Sequence, residues 1–180
     1  MFSLVEFEDV SRFMATKTLH LLRHAKSSWD DSQLEDRDRP LNSRGRKAAS
    51  RIGRLLRERA LAIDLVLCSS SARTRETAKL VFAELTNPPT ISFLDELYHA
   101  SPHQIVDLLS RVAEPAQFVM AIGHNPGFEE FLENLIGDAI HFPTAGLATI
   151  ELEIDRWSLL NAQTRGQLKQ FWKPREKDTE

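Results

Sequence analysis

Five short apolar runs separated by segments of helical period limit what this chain can fold into more than any other feature. The runs read as strands at 18–23 (TLHLLR), 64–68 (DLVLC), 90–94 (TISFL), 117–122 (QFVMAI) and 147–153 (LATIELE). Between them, residues 43–59 place Ala48, Ile52, Leu55 and Leu56 on one helical face, with Lys47, Arg51 and Arg54 turned largely to the other. Ala78, Val81, Phe82 and Leu85 do the same over 71–85. Ser101-Pro102 is a helix-start signal ahead of Ile105, Leu108, Leu109 and Val112, and Asn125-Pro126-Gly127 precedes Phe128, Phe131, Leu132, Leu135 and Ile136. GQLKQFW at 166–172 reads as a further, terminal strand. This alternation predicts an α/β fold, a mostly parallel sheet covered by helices.

At 180 residues, 42% of them apolar, the chain supports one sizeable core. We expect a single domain over 17–174, an N-terminal extension over 1–16 and a charged C-terminal tail over 175–180. A start at Met14 would lose nothing the core needs. The net charge of −3 argues against a nucleic-acid partner, and no apolar run is long enough to span a bilayer. One cysteine, Cys68, forms no internal disulfide, and the N-terminus carries Glu6, Glu8 and Asp9 where a secretory signal would be basic and then apolar. A cytoplasmic location is the expectation.

In such sheets, chemistry collects at the carboxyl ends of strands, where loops carry polar groups over a rigid scaffold. Three ends here are unusual: Arg23-His24 after the first strand, CSSSARTRET (68–77) after the second and GHNPG (123–127) after the fourth. The connection from 24 to 42 is also long and polar, as functional loops often are. Arginines and histidines gathered around one pocket suit a phosphoryl group. Planar guanidinium groups pair with its oxygens and stay charged when desolvated. One imidazole, kept neutral by flanking cations, can attack phosphorus in line, while the other donates to the oxygens as charge shifts. No metal or cofactor is required.

LLRHAKS, the Ser-x-x-x-Arg-x-x-x-Thr run from Ser69 through Arg73 to Thr77, and GHNPG resemble, in order and spacing, the three signatures of the histidine phosphatase superfamily from about residue 18 to 153. DRPLNSRG, with Arg39-Pro40-Leu41 and Gly45, and the absence of a large inserted cap subdomain resemble its compact SixA-type phosphohistidine phosphatase branch. The resemblance implies a phosphoglycerate mutase-like three-layer α/β sandwich without a cap. It further implies that His24 is the nucleophile, that Arg23 and Arg73 hold the phosphoryl oxygens, that His124 completes the pocket, and that Arg39 is a loop arginine facing phosphate or substrate. The substrate it implies is a phosphorylated protein carrying phosphohistidine. A phosphatase of small phosphoesters and a non-catalytic phosphate-binding module are the alternatives. Longer members of the family protonate the leaving group with a carboxylate after the third strand, where this chain offers Asp95 and Glu96.

Other phosphatase chemistries fit poorly. Cys68 precedes Arg73 by four intervening residues with no glycine between, unlike a phosphate-cradling thiolate loop, and reads as a buried strand residue. Asp36-Arg37-Asp38 lies inside a polar loop, where an aspartate nucleophile would follow a strand directly. His20 and His24 stand about 13 Å apart along a strand, too far to share a metal. Arg75 reads as solvated, His99 and His103 as separated by a helix start, and His141 as isolated.

Overall fold

The computed structural model describes residues 16–174. The expected C-terminal tail, and all but the last residue of the expected N-terminal extension, lie outside the described residues. The elements follow in the order β1 (Lys17–Arg23), α1 (Ser43–Glu58), β2 (Leu65–Ser69), α2 (Ala72–Phe82), β3 (Thr90–Leu94), α3 (Pro102–Ser110), β4 (Phe118–Gly123), α4 (Gly127–Ile136), β5 (Leu147–Leu152) and β6 (Gly166–Trp172). Short 3₁₀ turns occupy Asp36–Asp38, Asp95–Leu97 and Trp157–Leu159.

The six strands form one sheet in the order β3-β2-β4-β1-β5-β6. The first four of these are mutually parallel, while β5 runs antiparallel to β1 and β6 antiparallel to β5. This is the mostly parallel α/β architecture expected, with the C-terminal strand present at an edge. Alternate strand residues divide between two apolar layers. Leu22, Val66, Cys68, Met120 and Ile122 meet Ile52 and Leu56 of α1 and Ala78 and Val81 of α2. Leu19, Leu21, Leu67, Val119 and Ala121 meet Ile105 and Leu109 of α3 and Phe128, Phe131 and Leu132 of α4. His20 on β1 is buried, bonded to Thr149 Oγ1 at 3.0 Å and the Ala62 carbonyl at 3.1 Å.

The α1 face differs in detail from its sequence pattern. Ile52 and Leu56 are buried, but Gly45, Ala49 and Gly53 complete the stripe, with Ala48 and Leu55 only half-buried. The reason is close packing: a Cβ at Gly53 would stand 2.2 Å from the Val81 carbonyl oxygen, so α1 and α2 approach nearer than larger side chains permit. The Asn42 side chain accepts the Gly45 N–H at 2.8 Å and starts this helix where the long loop ends.

Candidate active site

Because β2, β4 and β1 are adjacent and parallel, their carboxyl ends lie side by side. Arg23 pairs with Gly123 and Cys68 with Ile122 in the ladder. The ladder runs on one residue further, as the His24 N–H donates to the Gly123 carbonyl at 3.1 Å. Sheet topology alone therefore brings Arg23, His24, Arg73 and His124 together, and His24, Arg73 and His124 are all buried. The His24 and His124 rings stand 5.1 Å apart.

The His24 ring has a fixed tautomer. Its Nδ1 lies 2.7 Å from the Ala25 carbonyl oxygen, which can only accept, so Nδ1 carries the hydrogen and Nε2 keeps its lone pair. Burial depresses the pKa of this imidazole to about 3, aided by the charges of Arg73 and Arg23 against the opposing Ala25 bond. Burial likewise depresses His124 to about 2, with His24, Arg73 and His99 adding to it. Both rings are thus neutral at physiological pH. The Ala25 N–H donates to Thr77 Oγ1 at 3.1 Å, and that hydroxyl donates to the Arg73 carbonyl at 2.6 Å, tying the backbone beside His24 to α2.

Unpartnered polar atoms lie beside these rings. Among the described residues, three buried side-chain polar atoms have no protein partner: Arg23 Nε, His124 Nδ1 and Asn125 Oδ1. Buried polar atoms, whether donors such as Arg23 Nε or acceptors such as Asn125 Oδ1, are seldom left without a partner. His124 Nε2 is bonded to Ser69 Oγ at 2.8 Å, and Arg23 Nη1 donates to the Phe142 carbonyl at 2.7 Å. Glu129 accepts from the Phe142 N–H at 3.1 Å and from Asn125 Nδ2 at 2.5 Å, so it braces the segment on which Arg23 rests.

The loop 24–42 supplies a group the sequence pattern did not single out. Asp36 receives Tyr98 Oη at 2.7 Å, Arg73 Nη2 at 2.9 Å and Arg39 Nη1 at 3.0 Å, with His99 Nε2 3.4 Å away. Burial acts to raise its pKa, but the bonds from Tyr98, Arg73 and Arg39 and the charge of Arg73 outweigh it and hold the carboxyl well below the usual carboxylate range. Arg39, the loop arginine of the resemblance, shares the Asp36 carboxylate with Arg73. It is buried, donates to the Ser28 carbonyl and Ser27 Oγ as well as Asp36, and has its guanidinium carbon 3.1 Å from the Trp29 ring centroid. Its link to the pocket runs through Asp36.

Asp95 is exposed, and hydrogen bonds from Ser70 and Arg37 lower its pKa, so it is held as an anion. Glu96 is exposed and has no bond to the site among the described residues. Cys68 is buried with its thiol pushed up to about 12 by that burial, as suits a core residue. Arg75 is exposed, donating to the Ser70 carbonyl and lying over the Phe93 ring. His141 is exposed 3.6 Å from Glu129, and His103 is exposed beside Asp107. Among the described residues there is no group of three side chains suited to hold a metal, and no helix is long and apolar enough to cross a membrane. A groove of about 490 Å³ along α3, lined in part by Pro102, Val106, Phe131 and Leu160, contains none of the site groups.

The neutral histidines make stability depend on acid. An unfolded histidine titrates near 6.5, whereas folded His24 and His124 titrate far lower, so the unfolded state binds more protons once the pH falls below about 6.5. Stability is complete above that value and declines as pH falls toward the folded values. Each of the two residues then costs about 1.4 kcal/mol at pH 5.5. Urea unfolding at pH 7.5 and 5.5 measures this; His24→Asn should remove about half of the pair's contribution, and an unaltered pH slope would refute the assignment.

Comparison with known proteins agrees with this geometry. Residues 19–99 match the model of the histidine phosphatase superfamily (branch 1). An uncharacterized chloroplastic protein of Arabidopsis thaliana is 31% identical over 151 residues, spanning 79% of this chain and 69% of that protein. The crystal structure of a candidate phosphohistidine phosphatase SixA from Agrobacterium tumefaciens is 33% identical, with a TM-score of 0.76 over 88% of this chain and 98% of that one. A SixA candidate from Nakamurella is 27% identical, with a TM-score of 0.78 over 88% of this chain and 96% of that one. With strand order and relatives in agreement, the chain belongs to the histidine phosphatase superfamily and has the phosphoglycerate mutase-like fold of the compact SixA proteins.

Proposed function

We propose that this chain hydrolyses a phosphoryl group by way of a covalent phosphohistidine on His24, without a metal, and that its substrate is phosphohistidine in a protein. The observation that carries the chemistry is the His24 tautomer: Nδ1–H is committed to Ala25, so Nε2 is a neutral nucleophile in a pocket flanked by Arg23 and Arg73. As Nε2 bonds to phosphorus the ring gains positive charge, which the Ala25 carbonyl stabilises through Nδ1–H. Arg23, Arg73 and His124 supply donors for the three phosphoryl oxygens, so catalysis is mainly positioning and electrostatics. Water then attacks the phosphoenzyme, and the P–N bond breaks to restore neutral His24.

The preference for a protein substrate rests on the rim. Trp29 is 79% exposed on the loop that carries Asp36 and Arg39, and Leu34 on the same loop is also exposed. An exposed tryptophan and leucine on that loop offer a folded partner contacts that a small ester would not reach. The test is acid-quenched trapping of labelled enzyme in the presence of EDTA, in parallel with kcat/KM for a phosphohistidine protein and for sugar and nucleotide phosphates. Label is expected on the wild type and absent from His24→Ala, with the phosphoprotein preferred. Label retained by His24→Ala, or abolished by EDTA, would sink the mechanism; preference for a small ester would replace the substrate.

A further inference from the structure

His99 carries an observation the mechanism above leaves unused. It has φ +54°, in the left-handed region that only a few per cent of non-glycine residues adopt, histidine being among the types that tolerate it best. Such backbone is retained where the surroundings over-determine it, commonly at functional sites. The unusual φ sets the His99 ring 5.6 Å from the His124 ring and 4.3 Å from that of Tyr98, with Nε2 3.4 Å from Asp36 Oδ2. The side chain is 57% exposed where His24 is buried, so it lies on the solvent side of the pocket. In-line attack by His24 requires the leaving group to depart on the side away from it, toward that same mouth.

The other groups at the mouth cannot give a proton. Asp36 and Asp95 are held as anions, and the Tyr98 hydroxyl already donates to Asp36. Imidazole as a side-chain type both gives and takes a proton near neutrality. His99 Nε2 faces Asp36, which orients the ring, and Nδ1 has no hydrogen-bond partner among the described residues. The charged and titratable groups around it are Asp36 from the long loop, Tyr98 beside it, Arg73 from α2 and His124 from the end of β4.

We infer that His99, oriented by its left-handed backbone and by Asp36, is the proton donor to the leaving group. The inference rests on the His24 mechanism proposed above. The His24 Nε2 lone pair forms the bond to phosphorus while the bond to the leaving oxygen or nitrogen breaks. The electron pair of that bond stays on the leaving atom, and the His99 proton neutralises it. In the second step neutral His99 takes a proton from the attacking water, the P–N bond pair returns to His24, and inorganic phosphate departs. Asp36 is a positioning residue in this scheme, since it acts through His99 and Arg73.

The test is His99→Asn, which tolerates the backbone and lacks the acid, measured as kcat/KM with p-nitrophenyl phosphate and with phenyl phosphate. This parameter covers steps only through departure of the leaving group, and the nitrophenolate needs a proton far less than phenolate does. The ratio of the two values should rise by about 10²-fold, the scale of a lost general acid. His99→Gly, which fits the same φ without a ring, should give the same change of ratio. An equal fall for both substrates, or an unaltered ratio in either variant, would overturn the assignment. Failure of the underlying mechanism is distinguishable, because wild-type protein would then trap no label on His24.

Discussion

Replacing Arg73 by lysine should lower kcat/KM for p-nitrophenyl phosphate by about 10²–10³-fold, the scale of one lost transition-state donor in a water-poor site. The substitution keeps the charge and discards the geometry. Arg73 directs Nη1 and Nη2 to the Asp36 carbonyl and carboxylate, which leaves its remaining N–H groups for phosphoryl oxygens in a fixed plane. A lysine ammonium is a point charge with three donors on a flexible stem and cannot serve both tasks. The loss should fall on kcat as well as KM, because the fork is matched to a phosphoryl group in transit. Titration with vanadate should show weaker binding in the same variant. A decline of less than tenfold would mean that charge alone suffices and that the bidentate arrangement is incidental.

Gly127→Ala should cost roughly 3 kcal/mol of stability, at the upper end of overpacking penalties. A Cβ there would lie 1.9 Å from the Ala100 carbonyl oxygen and 3.1 Å from its carbon, both backbone atoms that cannot rotate away. At about 2–4 °C per kcal/mol for a chain of this size, the melting temperature should fall by roughly 6–12 °C. Gly137 is the control. It ends α4 at φ +81° with nothing within 4 Å of the point where a methyl group would stand, so alanine there meets only backbone strain of about 1–2 kcal/mol. Calorimetry on both variants separates collision from strain; equal shifts would show that α4 withdraws freely from Ala100. Because Gly127 follows His124 closely and Ala100 follows His99, the collision should also disturb the spacing of the two histidines and so lower turnover.

The strand ends are legible because each carries an arginine or histidine within a few residues of an apolar run, and parallel pairing of neighbours then fixes where those side chains meet. Arg23, His24, Arg73 and His124 therefore followed from local pattern and resemblance together. Asp36 did not. Its place depends on how the long connection from 24 to 42 folds back, and a DRD triplet in a polar loop looks like solvated filler. His99 was hidden for a different reason: only the left-handed φ turns it toward His124, and neither the spacing to His103 nor the helix start at Ser101 reveals that. The α1 stripe shows the same limit, since Gly45 and Gly53 count as core through the neighbour that approaches them.

The placement of β1 has a dynamic consequence. It is hydrogen-bonded along both edges, to β4 and to β5, so the backbone that holds His24 opens only when the domain itself unfolds. The loop bearing Asp36, Arg39 and Trp29 is fastened mostly through side chains and can open locally at far lower cost. The strand end that carries His24 and the loop beside it thus keep separate clocks, the first as slow as global unfolding and the second faster. Variation along 27–39 can therefore alter the loop while the backbone that carries His24 stays fixed.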